Sequence, residues 1–133
     1  MKKLFLMMVT AVAILTTSCS KQTTLENRLD GETWKVTQMD VTYEGITESG
    51  LEAGVTTTLA FEKDGKGTWS TTGEASESFT WSVSSDGKTI TLTQGTDVLT
   101  FTVTDNSSKK QVWTMSQTDE GFTYTMTIGL EKQ

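Results

Sequence analysis

After Thr33 the chain alternates threonine, serine and charged residues with aromatic and branched aliphatic ones. That pattern, repeating every second residue, predicts strands with one solvated face and one buried face. It resolves into eight segments, 33–43, 55–62, 66–72, 76–84, 88–94, 97–105, 111–117 and 120–131, and no stretch beyond residue 30 carries helical spacing of useful length. Ahead of them, Thr23-x-x-Glu26 reads as a capping box opening a short helix. Leu25 and Leu29 share one face of that helix, and Asp30-Gly31 ends it.

Opposed residues of an antiparallel hairpin share a face, so each loop must agree with the apolar parity of its strands. Pairing Val83 with Ile90 and Trp81 with Leu92 leaves Asp86-Gly87 as a type I′ turn. Pairing Leu92 with Leu99 and Ile90 with Phe101 leaves Gly95-Thr96, suited to type II′. Leu59 opposite Trp69 leaves Lys63-Asp64-Gly65, with Gly65 free to turn left-handed. Trp69 opposite Phe79 leaves Gly73-Glu74-Ala75. Trp113 opposite Tyr124, with Met115 opposite Phe122, leaves a loop around Thr118-Asp119.

One face then gathers Leu59, Phe61, Trp69, Phe79, Trp81, Val83, Ile90, Leu92, Leu99, Phe101, Val103, Trp113, Met115, Phe122, Tyr124, Met126 and Ile128, and the other is mainly threonine and serine. Trp34 and Val36 lie on one parity of the first strand and Met39, Val41 and Tyr43 on the other, which predicts a bulge near Thr37-Gln38. A Greek-key sandwich needs a long return between sheets, and the one sizeable connection is Glu44 to Gly54. Short sequential hairpins therefore predict an all-β, eight-stranded, antiparallel up-and-down barrel with a short N-terminal helix, closed so that no sheet edge is left.

The first residues carry an address. Lys2 and Lys3 precede an apolar run from Leu4 to Leu15, then Thr16, Thr17, Ser18 and Cys19, the sole cysteine. The run is short for a membrane span and suits a signal peptide. The arrangement resembles a bacterial lipoprotein signal, which implies cleavage after residue 18 and acylation of Cys19. Thr16 stands where such signals usually have Leu, and ordinary secretory cleavage, with Thr16 and Ser18 as its small residues, is the other reading. The expected domains are a signal peptide (1–18), a lipidated tether (19–24) and a barrel (25–133). The acyl chains would be the membrane contact. In lipoproteins of the kind this signal resembles, surface export goes with acidic residues just after the Cys; none follow Cys19, so the resemblance implies an outer-membrane anchor facing the periplasm, with the cell surface as the alternative.

Composition narrows the chemistry. The chain has 133 residues, a formal charge of −6, and neither His nor Pro. An acidic balance argues against a nucleic-acid partner, which needs a Lys/Arg footprint. Without His, and with its one thiol in the signal region, the chain has little to build catalysis on. The inward-face set contains no Asp, Glu or Lys, and Asp64, Asp86 and Asp119 sit where turns favour Asp. Neither an enzyme nor a cofactor nor a metal site is expected.

Leu29-x-Gly31-x-x-Trp34-Lys35-Val36, then Thr58-Leu59-x-Phe61-x-x-Asp64-Gly65-x-Gly67-Thr68, then Phe79-x-Trp81-x-Val83 with Ile90-x-Leu92, resemble the lipocalin-like domains of Bacteroidota lipoproteins. The resemblance spans residues 29–131 and implies a lipocalin-like barrel without supplying an activity. It further implies a lid from the Glu44–Gly54 connection, with Ile46 and Leu51 as apolar contacts and Gly50 among its hinges; a solvated acidic connector is the bland counterpart. The helix would plug the opposite end beside Trp34. Trp34, Trp69, Trp81, Phe101, Trp113 and Tyr124 either line a pocket or fill the barrel, and so many aromatics favour a largely filled interior. Two functions follow: binding of a small apolar or amphipathic ligand, or a filled barrel serving as a structural or protein-interaction module with an envelope partner.

Overall fold

The computed structural model describes residues 21–133. The expected signal peptide and the expected acylation of Cys19 fall outside the described residues. A helix, α1, runs over residues 21–29. Nine strands follow: β1 (Thr33–Tyr43), β2 (Ile46–Ser49), β3 (Thr57–Phe61), β4 (Lys66–Thr71), β5 (Glu77–Val83), β6 (Thr89–Gln94), β7 (Asp97–Asn106), β8 (Lys110–Asp119) and β9 (Phe122–Lys132). Each of β3 to β9 pairs antiparallel with the next, β1 pairs with β3 through Thr33–Lys35, and β9 returns to β1 from Trp34↔Lys132 to Tyr43↔Tyr124. Eight strands thus close into an antiparallel, lipocalin-like barrel. The ninth, β2, folds back on the far half of β1 in register Tyr43↔Ile46 to Asp40↔Ser49.

The bulge falls at Thr37, where the β1–β9 register steps from Val36 to Gln38. A Cβ on Gly129 would stand 2.9 Å from that of Gln38, so the glycine makes room for the step. The pairings Leu59↔Trp69, Trp81↔Leu92, Val83↔Ile90, Leu92↔Leu99 and Ile90↔Phe101 are as the parity predicts. Gly65, with φ 80°, takes the left-handed position of its loop.

Other details differ. Gly67, not Trp69, lies opposite Phe79, and Trp69 faces Glu77. Trp113 and Met115 face Ile128 and Met126, so the β8–β9 turn is Glu120-Gly121 rather than Thr118-Asp119. Both slips are by an even number of residues, which preserves every face and therefore leaves the apolar pattern unable to detect them. Asp86 keeps a negative φ, and only Gly87 of that pair is left-handed, so the turn is not type I′. The expected connector 44–54 contains β2, entered through Glu44-Gly45 with φ values of 49° and 80°. Residues 21–24, expected as tether, belong to α1, so Thr23 lies within the helix rather than at its cap.

The core is aromatic. Phe61 sits at its centre, edge-on to Phe79, Trp81 and Trp113 with ring centroids 5.7, 5.4 and 6.1 Å away. Such geometry sets the positive ring edge against a neighbour's negative face and adds to the burial energy. Leu25 and Leu29 of α1 are wholly buried beside Trp34. α1 is held across the barrel end by Gln22 Nε2 donating to the Val83 carbonyl at 3.0 Å and by Arg28 donating to that of Asn106. Gly31 completes the closure, its amide donating to the Phe61 carbonyl at 2.8 Å. The helix is a plug.

Candidate functional site

Because strands alternate in direction, the plug fixes which turns lie at the other end. The mouth is formed by the β1–β2, β4–β5, β6–β7 and β8–β9 turns and the connection into β3. A cleft of about 600 Å³ opens there, lined by Trp69, Glu77, Phe79, Leu92, Gln94, Thr96, Asp97, Val98, Leu99 and Gln117. Its volume falls within the range of small-ligand pockets. A smaller recess of about 220 Å³ adjoins it beneath the residue 50–55 connection, among Met39, Leu51, Val55, Thr57 and Thr71, and Trp69 borders both.

Strand parity decides what faces the cleft. Phe79, Leu92 and Leu99 are inward positions near the last turn of the barrel, and the next inward positions are Glu77, Gln94, Asp97 and Gln117. The floor is therefore apolar and the wall polar. Gln94 Nε2 donates to Glu77 Oε2 at 2.8 Å, and Tyr124 Oη donates to Gln117 Oε1 at 2.7 Å. The Trp69 indole N–H donates to Thr71 Oγ1 at 3.2 Å, which leaves the ring faces free.

The expected lining residues divide sharply. Trp34, Trp81, Phe101 and Trp113 are buried core side chains, and only Trp69 among the six borders the cleft. Trp81 Nε1 donates to the Lys66 carbonyl at 2.9 Å and Trp113 Nε1 to Gln111 Oε1 at 3.3 Å, while Trp34 Nε1 has no acceptor among the described residues. Tyr124 is half-buried at the mouth and reaches the wall through Gln117. In the expected lid, Leu51 packs on the core and the Gly50 amide donates to the Met39 carbonyl at 2.6 Å, but Ile46 is 66% exposed. Leu99 and Phe122, expected inside, stand 36% and 51% exposed because they lie at the open rim.

Glu77 and Asp97 correct the expectation of an inward face without acids. The signal was present: each inward series, continued one step past its last apolar member, arrives at Glu77, Gln94, Asp97 or Gln117.

Charge divides between the two ends. Every lysine and arginine among the described residues (Lys21, Arg28, Lys35, Lys63, Lys66, Lys88, Lys109, Lys110, Lys132) belongs to α1 or to strand ends and turns at the plug. Glu44, Glu48, Glu52, Glu74, Glu77, Asp97, Asp119 and Glu120 surround the mouth with no cation among them. The Lys66–Asp64 and Lys132–Glu32 ion pairs are both at the plugged end.

No group of three or more potential metal-ligating side chains occurs among the described residues, and no helix among them is long and apolar enough to cross a membrane. The chain matches no protein-family model and no curated protein.

Proposed function

We propose that the protein is a lipid-anchored, lipocalin-like lipoprotein of the Bacteroidota type that binds a small amphipathic ligand without catalysing a reaction. The observation that carries this reading is the cleft of about 600 Å³ at the mouth of a barrel whose other end is filled. Its apolar floor suits a hydrocarbon or aromatic group, and its amide and carboxylate wall suits a polar head. Acylation of Cys19, two residues before α1, would hold the plugged, lysine-bearing end against the outer membrane and turn the mouth towards the periplasm. Anionic headgroups would then meet an end whose lysines and arginine offset its own carboxylates (Glu26, Asp30, Glu32, Glu62, Asp64, Asp86, Asp105 and Glu131) rather than the uncompensated carboxylates of the mouth.

The test is a titration of intrinsic tryptophan fluorescence, using the full chain in lipid nanodiscs and a set of short-chain amphiphiles. A saturable change that Trp69→Phe abolishes is expected; no change with any of them, and no ligand co-purifying in native mass spectrometry, would sink the carrier reading. Cys19→Ala tests the anchor, since a variant that still partitions with membranes removes that claim.

A second reading has an observation of its own. Tyr43, Ile46, Val98 and Phe122 are apolar and exposed around the mouth, with the Tyr43 and Phe122 rings in tilted contact, centroids 5.8 Å apart. A filled barrel displaying such a rim would serve as an interaction module for an envelope protein. Ile46→Ser with Phe122→Ser would abolish capture of that partner while leaving ligand titrations unchanged.

A further inference from the structure

We infer that the cleft selects cationic amphiphiles, holding an alkyl or aryl ammonium head between Glu77 and Asp97 and the apolar group on Trp69, Phe79 and Leu99. The inference rests on the reading of the cleft as a ligand site and specifies the class of ligand.

Three independent features converge on it. The first is the wall. β6 lies between β5 and β7, and Gln94, the Cα partner of Asp97, donates its side-chain amide to Glu77, so one residue stands between the two acidic positions. The Asp97 carboxylate accepts no hydrogen bond from the described residues and pairs with no cation among them, while Glu77 has a single donor on one of its two oxygens. Both therefore keep acceptor capacity directed at whatever enters, and an ammonium, which only donates, complements them. The second is the field. With no lysine or arginine at the mouth and carboxylates on all its turns, a partly enclosed cleft concentrates cations and repels anions such as fatty-acid carboxylates. The third is the floor. The Trp69 N–H is already spent on Thr71, so the ring offers its π face, which attracts a cation and tolerates an alkyl chain.

The lower half of the barrel limits ligand length. Phe61, Trp81 and Trp113 occupy the space beneath the cleft, so the apolar part must be a ring or a short chain rather than a long acyl tail.

An isosteric series separates the possibilities: 4-phenylbutylammonium, 4-phenylbutanol and 4-phenylbutyrate, titrated into the full chain in neutral-lipid nanodiscs with empty discs as baseline. The ammonium should bind tighter than the alcohol by about tenfold, the ratio that two part-exposed ion-pair contacts and one aromatic–cation contact supply together. The butyrate should be weakest. Glu77→Gln with Asp97→Asn, both conservative changes at exposed positions, should collapse the series to near equality. Added salt should weaken the ammonium and leave the alcohol unchanged. Alcohol or butyrate binding as tightly as the ammonium overturns the inference, as does a preference that survives the double substitution. Failure of all three to bind overturns the ligand-site reading itself.

Discussion

Gly67→Ala should destabilise the barrel although it adds only a methyl group. Gly67 faces inward on β4 opposite Phe79, whose ring lies across it. A Cβ there would come within 2.3 Å of Phe79 Cζ, 2.4 Å of Cε2 and 2.8 Å of the Ala60 carbonyl oxygen. Carbon atoms pack best at about 3.5–4.0 Å. The carbonyl belongs to the β3 ladder and cannot yield, so Phe79 must leave its edge-on contact with Phe61. Re-exposing much of a phenylalanine costs about 2–3 kcal/mol, and overpacking in general costs about 1–3. Against this, replacing glycine in a strand returns about 0.5–1 kcal/mol of backbone entropy. The net is a loss of about 2 kcal/mol, or roughly 8 °C in midpoint for a domain of this size. Thermal and urea unfolding followed by circular dichroism measure it. The share due to Phe79 is isolated by repeating the substitution in a Phe79→Ala background, where the ring clash is gone, only the 2.8 Å approach to the Ala60 carbonyl oxygen remains, and the added cost should be smaller. A Gly67→Ala protein as stable as the wild type, or an equal loss with and without Phe79, would refute the reasoning.

Leu29→Ala removes a wholly buried side chain from the plug and should cost about 2–5 kcal/mol in urea unfolding, while the ligand affinity of the cleft at the other end stays unchanged. Glu120→Gly should raise the unfolding midpoint, because Glu120 holds φ 47° and a left-handed conformation costs an L-residue about 1–2 kcal/mol. Asp86→Ala should matter less in acid. The Ser84 hydroxyl and the Lys88 amide donate to Asp86, at 2.6 and 3.0 Å, and hold its carboxyl below the usual value of 3.8. A carboxyl lowered on folding stabilises the fold above its unfolded value and loses that contribution as pH falls through the folded one. The gap between wild type and variant should therefore be full at neutral pH and narrow below 3.8, read as midpoints of thermal unfolding across that range.

The alternation of threonine with aromatics carries the architecture because burial on one face specifies which residues point inward. It carries nothing about even-numbered slips, and those are where the β4–β5 and β8–β9 pairings depart from the apolar pattern. Turn chemistry settles such slips only when the turn residues are distinctive. Gly95 and Gly65 are; Glu44-Gly45 and Glu120-Gly121 are not, because glutamate is rarely found left-handed, and both hairpins were hidden for that reason. The cleft was partly legible. Trp69 was among the inward aromatics, but separating it from Trp34, Trp81 and Trp113 requires knowing which end α1 closes, a tertiary fact that Leu25 and Leu29 only suggest. The wall is not marked by apolar periodicity, because Glu77 and Asp97 lie one inward step beyond Phe79 and Leu99, where each hydrophobic series ends.

Those two hidden turns also bear on why the mouth is acidic. Glu44 and Glu120 are the only non-glycine residues with positive φ among the described residues, and both sit at the mouth. Asparagine or glycine at either position would relieve the backbone, so each glutamate is held at a cost in stability. β2 continues the theme: all four of its residues are exposed, and it pairs on one side only, with β1. At the plugged end the left-handed positions are all glycine, and two of its lysines, Lys66 and Lys132, pair with carboxylates. Stability is concentrated at one end and net negative charge at the other, since the carboxylates of the plugged end are offset by the lysines and arginine there. Glu120→Gly separates the two quantities: the variant should unfold at a higher temperature, yet at low ionic strength it should show a smaller preference for 4-phenylbutylammonium over the alcohol. A gain in stability with the preference intact would mean that the rim charge has no part in selecting the ligand, and would confine selection to Glu77 and Asp97.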